Sequence, residues 1–190
     1  MIEKGNPYLS NINDSVIVVI DVQEKLISAM PKGVKERVIE RVNVLLTAAK
    51  TLSAPVIVTE QYPKGLGPTI KELSTQLSDN TLIFQKTTFS ATKLNAFMTG
   101  LESTGRKQVI LVGMETHICV LQTALELQMQ GFQVFVVEDA VSSRSKANQY
   151  NALQRLRSAG VIITNVESVV FEWLEDASQP DFKTLAQLII

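Results

Sequence analysis

The sequence predicts an α/β fold: a three-layer sandwich in which a parallel sheet carries helices on both faces. Two observations predict it. Short β-branched runs alternate with longer segments whose apolar residues recur at helical spacing, the pattern of βαβ units joined by right-handed crossovers. In addition, the first run, SVIVVI, is apolar without interruption, as expected for a strand buried on both faces rather than one.

Taken in order, Ser15–Ile20 is the first strand and Val34–Leu52 a helix, with apolar residues at Val34, Val38, Val42, Leu45, Leu46 and Ala49. Pro55–Thr59 and Thr81–Phe84 are the second and third strands, followed by a helix over Ala91–Leu101. Gln108–Val112 is the fourth strand, ending at Gly113. The next helix, Thr116–Gln130, stops at Gly131, and the helix Lys146–Ala159 stops at Gly160, because glycine readily takes the left-handed conformation that closes a helix. Between them Gln133–Val137 is the fifth strand. Val161–Ile163 is the sixth, and helices near Glu167–Glu175 and Pro180–Ile190 complete the chain. No linker, repeat or low-complexity tract interrupts this order, so residues 1–190 are read as one domain. The exception to the regular pattern is Glu60–Lys71 (EQYPKGLGPTIK), a loop of the kind that lines binding sites at the carboxyl ends of parallel strands.

Composition narrows the chemistry. Eighteen Lys+Arg against 19 Asp+Glu leave a net charge of −1, so no basic excess exists to neutralise phosphates, and neither nucleic acid nor an anionic membrane is expected as a partner. No apolar run reaches the length of a membrane span. The first residues do not resemble a signal peptide, and the expected location is cytoplasmic. With 1 cysteine and 1 histidine, an internal disulfide, a multi-histidine metal site and a thiolate zinc cluster cannot be built within one chain. No metal and no cofactor are therefore expected. Gly65-Leu66-Gly67 lacks the third glycine and the strand-to-helix context of a dinucleotide loop, and no G-x-S-x-G elbow accompanies His117.

In an open parallel sheet, ligands bind outside the carboxyl edge. Three reactive side chains leave three strands there: Asp21 after the first, Lys86 after the third, and Cys119 in the first turn of the helix after the fourth. Each has an ordinary alternative. Asp21 can cap the stretch that follows it, Lys86 can be a solvated loop residue, and a free cysteine can be an inert core residue. The position of Cys119 at a helix start, with a lysine near, is expected to lower the thiol pKa. His117 stands two residues from Cys119, a spacing that points side chains in different directions and makes a Cys-His pair poor; it is expected to face the pocket mouth or a neighbouring subunit.

These residues resemble the isochorismatase-like cysteine hydrolases: Asp21-Val22-Gln23 after the first strand, Lys86 after the third, and the run Gly113-Met114-Glu115-Thr116-His117-Ile118-Cys119-Val120. Thr59–Pro68 and Asp139–Ser145 are most similar to the isochorismatase-domain-containing branch. The resemblance implies a six-stranded parallel sheet, a Cys119-Asp21-Lys86 triad, and a non-proline cis peptide at Met114–Glu115, with the backbone N–H groups of Glu115 and Cys119 forming an oxyanion hole. Two departures matter. The metal-binding histidines of the related nicotinamidases are absent, and Cys119 stands where true isochorismatases have no cysteine nucleophile.

The function so implied is a metal-independent cysteine hydrolase acting on a small amide, imide or related C–N carbonyl compound through a thioester. Gln23, Glu60, Tyr62 and Phe89 are the candidates for lining the substrate pocket. A non-hydrolytic interaction protein, or a redox sensor using Cys119, would retain the same fold. A homo-oligomer is expected, since the C-terminal stretch Phe182–Ile190 is rich in apolar residues that need a surface to dock on.

Overall fold

Val16, Val18 and Ile20 of the first strand enter one hydrophobic cluster and Ile17 and Val19 the other, because successive strand side chains point to opposite faces. Full burial of each is worth roughly 1.5–3 kcal/mol, and the strand has no polar face to show to solvent. Around it the computed structural model describes residues 6–189. In chain order the elements are β1 (Ser15–Ile20), α1 (Glu24–Ser28), α2 (Val34–Leu52), β2 (Val56–Gln61), α3 (Pro63–Leu66), α4 (Lys71–Ser74), β3 (Leu82–Lys86), a 3₁₀ turn (Ala91–Lys93) and α5 (Asn95–Ser103). There follow β4 (Gln108–Met114), a π turn (Thr116–Val120), α6 (Leu121–Met129), β5 (Gln133–Ser142), α7 (Lys146–Ser158), β6 (Ile162–Thr164), α8 (Val166–Leu174) and α9 (Phe182–Ala186).

The six strands form one sheet in the order β3-β2-β1-β4-β5-β6, every neighbouring pair parallel. Apolar residues of α2, α8 and α9 cover one face, and those of α5, α6 and α7 cover the other. The three-layer α/β architecture is therefore the one the alternating pattern implies. The chain steps outward from β1 to β3 and then returns to the other side of β1 to form β4. The switch point, where loops diverge and leave a crevice, lies between the carboxyl ends of β1 and β4. There the two strands approach closely: a Cβ on Gly113, whose φ is +109°, would lie 2.0 Å from the Ile20 carbonyl oxygen. Only glycine fits.

Several boundaries differ from those the sequence suggests. β2 and β3 run two residues further, so that Gln61 and Lys86 are the last residues of paired strands. β5 extends to Ser142 and its register against β4 shifts between Leu111 and Gly113. The helix expected over Thr116–Gln130 begins as a π turn and becomes regular only at Leu121. The loop after β2 contains a helical turn, α3, with Pro63 at its start. The C-terminal segment docks on its own subunit: Leu185 and Ala186 are buried, and Phe182 meets Phe171 edge to face at 6.0 Å. Its apolar residues are thus largely accounted for without a second copy. Ile190 lies outside the described residues.

Candidate active site

Asp21 directly follows β1 with φ +50°, and its carboxylate is turned into the protein rather than toward α1. The helix-capping alternative is set aside by the geometry, since the residue at the cap of α1 is Gln23, without a side-chain cap hydrogen bond. Instead Thr59 Oγ1 donates to Asp21 Oδ1 at 2.7 Å and Lys86 Nζ donates to Oδ2 at 2.7 Å. Lys86 reaches Asp21 from the end of β3, past β2, and its ammonium is also held by Gln61 Oε1 at 2.7 Å, the Phe89 carbonyl at 3.1 Å and the Thr88 carbonyl at 3.2 Å. Asp21 is 0% exposed and Lys86 4%. Taking both charges out of water is expensive, so the mutual attraction and the surrounding partners must compensate.

The third member comes from the other side of β1. Cys119 is free and 6% exposed, in the π turn, with its thiol close enough to Asp21 and Lys86 for both charges to act on it. Burial pushes its thiol up to about 12 from the ordinary 9.0; the Asp21 carboxylate adds to this, and the Lys86 ammonium opposes it. This reverses the expectation of a lowered thiol pKa. The regular helix starts only after Cys119, and desolvation plus a negative neighbour outweigh one cation. The resting site is a neutral thiol beside a carboxylate–ammonium pair. The Met114–Glu115 peptide just ahead of the turn is cis.

The four residues expected to line the pocket divide into two pairs. Tyr62 and Phe89 are 55% and 54% exposed, on the loops after β2 and β3. The Tyr62 ring lies against Gly65, where a Cβ would come within 2.3 Å of it. Gln23 and Glu60 are buried, and their side chains are hydrogen-bonded within the protein. Gln23 accepts from the Gln61 backbone N–H at 2.7 Å and donates to the Gln61 and Gly67 carbonyls at 3.0 and 2.6 Å. Glu60 accepts from the Thr69 N–H at 2.7 Å and from its hydroxyl at 2.8 Å. Together they pin the loop that carries Tyr62.

Both ring nitrogens of His117 are engaged away from the thiol: Nδ1 meets Ser143 Oγ at 2.9 Å and Nε2 meets Asn148 Nδ2 at 3.3 Å, tying the π turn to α7 and the turn before it. The buried Glu115 carboxylate accepts from Arg144 Nε at 3.1 Å and from the Arg144 backbone N–H at 2.9 Å. Sequence reasoning did not single out Thr59 and Gln61, which hold Asp21 and Lys86. Their signal is register, Thr59 opposite Ile20 and Gln61 opposite Lys86, and register needs the assembled sheet. Among the described residues no group of three or more His, Cys, Asp or Glu side chains is placed to hold a metal ion. No helix among them is long and apolar enough to cross a membrane.

Comparison with known proteins adds the following. The isochorismatase domain model matches residues 15–168. The secreted isochorismatase effector Isc1 of Phytophthora sojae is 42% identical over 184 residues, covering 93% of this chain and 85% of that protein. Isochorismatase domain-containing protein 1 of Danio rerio is 44% identical over 145 residues; the match covers 76% of this chain and 50% of that protein, so the chain spans about half of it. Among solved structures, the MAR1 ribonuclease from Caenorhabditis elegans superposes with a TM-score of 0.88 at 40% identity, covering 95% of this chain and 92% of that one. The YcaC gene product of Escherichia coli, described as an octameric hydrolase of unknown specificity, gives a TM-score of 0.89 at 29% identity, covering 95% and 89%. YcaC from Pseudomonas aeruginosa, solved with hexane-2,5-diol and covalent acrylamide, gives 0.89 at 26%, covering 100% and 92%.

Proposed function

The chain belongs to the isochorismatase-domain family, and on that premise we propose that it is a cysteine hydrolase cleaving a small amide, imide or related C–N carbonyl compound. The observation that carries this reading is the meeting of a buried thiol with the Asp21–Lys86 pair, closed at 2.7 Å. Asp21 takes the proton of Cys119 as the sulfur attacks the carbonyl carbon; the C–S bond forms and the carbonyl π electrons move to oxygen. The backbone N–H groups of Glu115 and Cys119 serve that oxygen as an oxyanion hole. Collapse breaks the C–N bond, and Asp21 returns the proton to the leaving nitrogen. Water, deprotonated by the same carboxylate, then cleaves the thioester and restores the thiol. Lys86 positions Asp21 throughout and favours the thiolate as it forms. The covalent acrylamide in a YcaC relative supports a site of this fold with a reactive nucleophile. No step needs a metal.

The test is a panel of small primary amides and cyclic imides with the purified protein, read by ammonia or amine release and by the mass of a Cys119 acyl adduct. Turnover lost in Cys119→Ala supports the reading, and turnover retained there rejects it. The 40% identity to a protein called a ribonuclease favours a second reading, phosphodiester cleavage. Cleavage of a labelled RNA that survives Cys119→Ala would favour that reading instead. The octameric relative supports assembly into homo-oligomers, and the secreted relative makes location a property of each member rather than of the fold.

A further inference from the structure

Buried polar side chains normally find partners. Three buried side-chain polar atoms among the described residues have none: Arg37 Nε and Asn43 Oδ1, both on α2, and Thr116 Oγ1. α2 packs on the opposite face of the sheet from the cluster that contains Cys119. Thr116 is different. It is the first residue of the π turn that carries Cys119, adjacent to Glu115, and it is 0% exposed.

The residues on either side of Thr116 in the chain, and the Asp21–Lys86 pair, show how unusual this is. Asp21, Lys86, Glu115 and His117 all have hydrogen-bond partners within the protein. A hydroxyl is also the easiest group to satisfy, since its hydrogen rotates to any acceptor in range and its two lone pairs accept as well. An unpaired hydroxyl in so well connected a site marks a position where the free protein lacks something that the bound state supplies.

We infer that Thr116 is a further catalytic residue: its hydroxyl donates a hydrogen bond to the carbonyl oxygen of the bound substrate, and keeps it as that oxygen gains negative charge. It would act as a third donor beside the backbone N–H groups of Glu115 and Cys119. The inference rests on the thioester reading of the site, and its test separates the two. It also narrows the substrate class. The scissile group must bring an oxygen acceptor into the buried turn, as a carbonyl does and an apolar alkyl centre does not.

The test uses p-nitrophenyl acetate as an acylating probe, reading the nitrophenolate burst and the acetyl mass on Cys119. Iodoacetamide, which alkylates sulfur without loading an oxyanion, serves as the control for the thiol. In Thr116→Val, which replaces the hydroxyl with a methyl of similar size, acetylation should slow about tenfold or more. Its iodoacetamide rate should stay within about twofold of wild type, and its thermal midpoint should be unchanged or raised, because an unpaired hydroxyl has been removed. Thr116→Ser, which keeps the donor, should recover most of the acetylation rate. Wild-type protein that takes no acetyl group on Cys119 overturns the thioester reading and this inference with it. If wild type and Thr116→Val acetylate equally fast, only the inference is overturned. A Thr116→Val protein that loses thermal stability, alkylation and acetylation together also overturns it, by showing a structural role.

Discussion

The proton on Cys119 is held by the fold, and that makes stability depend on pH in a way that can be measured. In the native protein the thiol is pushed up to about 12 by burial and by Asp21, against an ordinary value of 9.0. In the unfolded chain both causes vanish, so the thiol ionises near its ordinary value. Well below pH 9 both states hold the proton and the stabilisation is fully present. Between pH 9 and about 12 the unfolded chain has released it while the native protein keeps it, so stability falls as pH rises. The full interval, 12 less 9.0, corresponds to about 4 kcal/mol at about 1.36 kcal/mol per pH unit. From pH 8 to pH 10 the loss is about 1.4 kcal/mol, of which about three quarters falls above pH 9. Cys119→Ala has no thiol to titrate and keeps every other group. Urea unfolding at the two pH values should therefore show wild type losing about 1.4 kcal/mol more than Cys119→Ala, a relative midpoint shift of roughly 0.5–1.4 M for slopes of 1–3 kcal/mol/M. Equal losses in the two proteins would refute the argument, and with it the picture of a thiol that gives up its proton only to Asp21 as a substrate reacts.

Four further outcomes are expected. Asp21→Asn should abolish hydrolysis yet speed iodoacetamide alkylation at pH 8, because removing the carboxylate takes away one of the two causes that hold the proton on sulfur; slower alkylation would contradict this assignment. Lys86→Met leaves the Asp21 carboxylate buried without its cation, and should cost about 3–5 kcal/mol in chemical denaturation; an unchanged midpoint would remove the buried pair from the account. Gly113→Ala places a Cβ 2.0 Å from the Ile20 carbonyl oxygen at φ +109°, and a loss of about 2 kcal/mol or more in thermal or urea unfolding is expected as β1 and β4 separate. Light scattering at micromolar concentration should give a mass well above the 21.0 kDa of one chain, and a monomer would end the oligomer proposal.

The alternation of apolar runs determined the six strands, their parallel arrangement and the covering of both faces, because side-chain periodicity and crossover handedness act locally. It also placed Asp21, Lys86 and Cys119 at one sheet edge, since all strands of a parallel sheet end on the same side. What reaches across the sheet was not legible. That Lys86 extends past β2 to Asp21, and that Thr59 and Gln61 hold the pair, follow from strand order and register between distant segments. Gln23 and Glu60 carry residue types suited to a pocket, and only the folded loop shows them bonded to Gln61, Gly67 and Thr69. The C-terminal apolar residues needed a surface, and the tertiary structure supplied it on the same subunit. The thiol shows the same division most clearly. Its sequence neighbours, a helix start and a lysine to come, argue for easy ionisation. Its neighbours in space, an apolar wall and a carboxylate, decide against it, because proton affinity is set by solvation and charge within a few ångströms, whatever the distance along the chain.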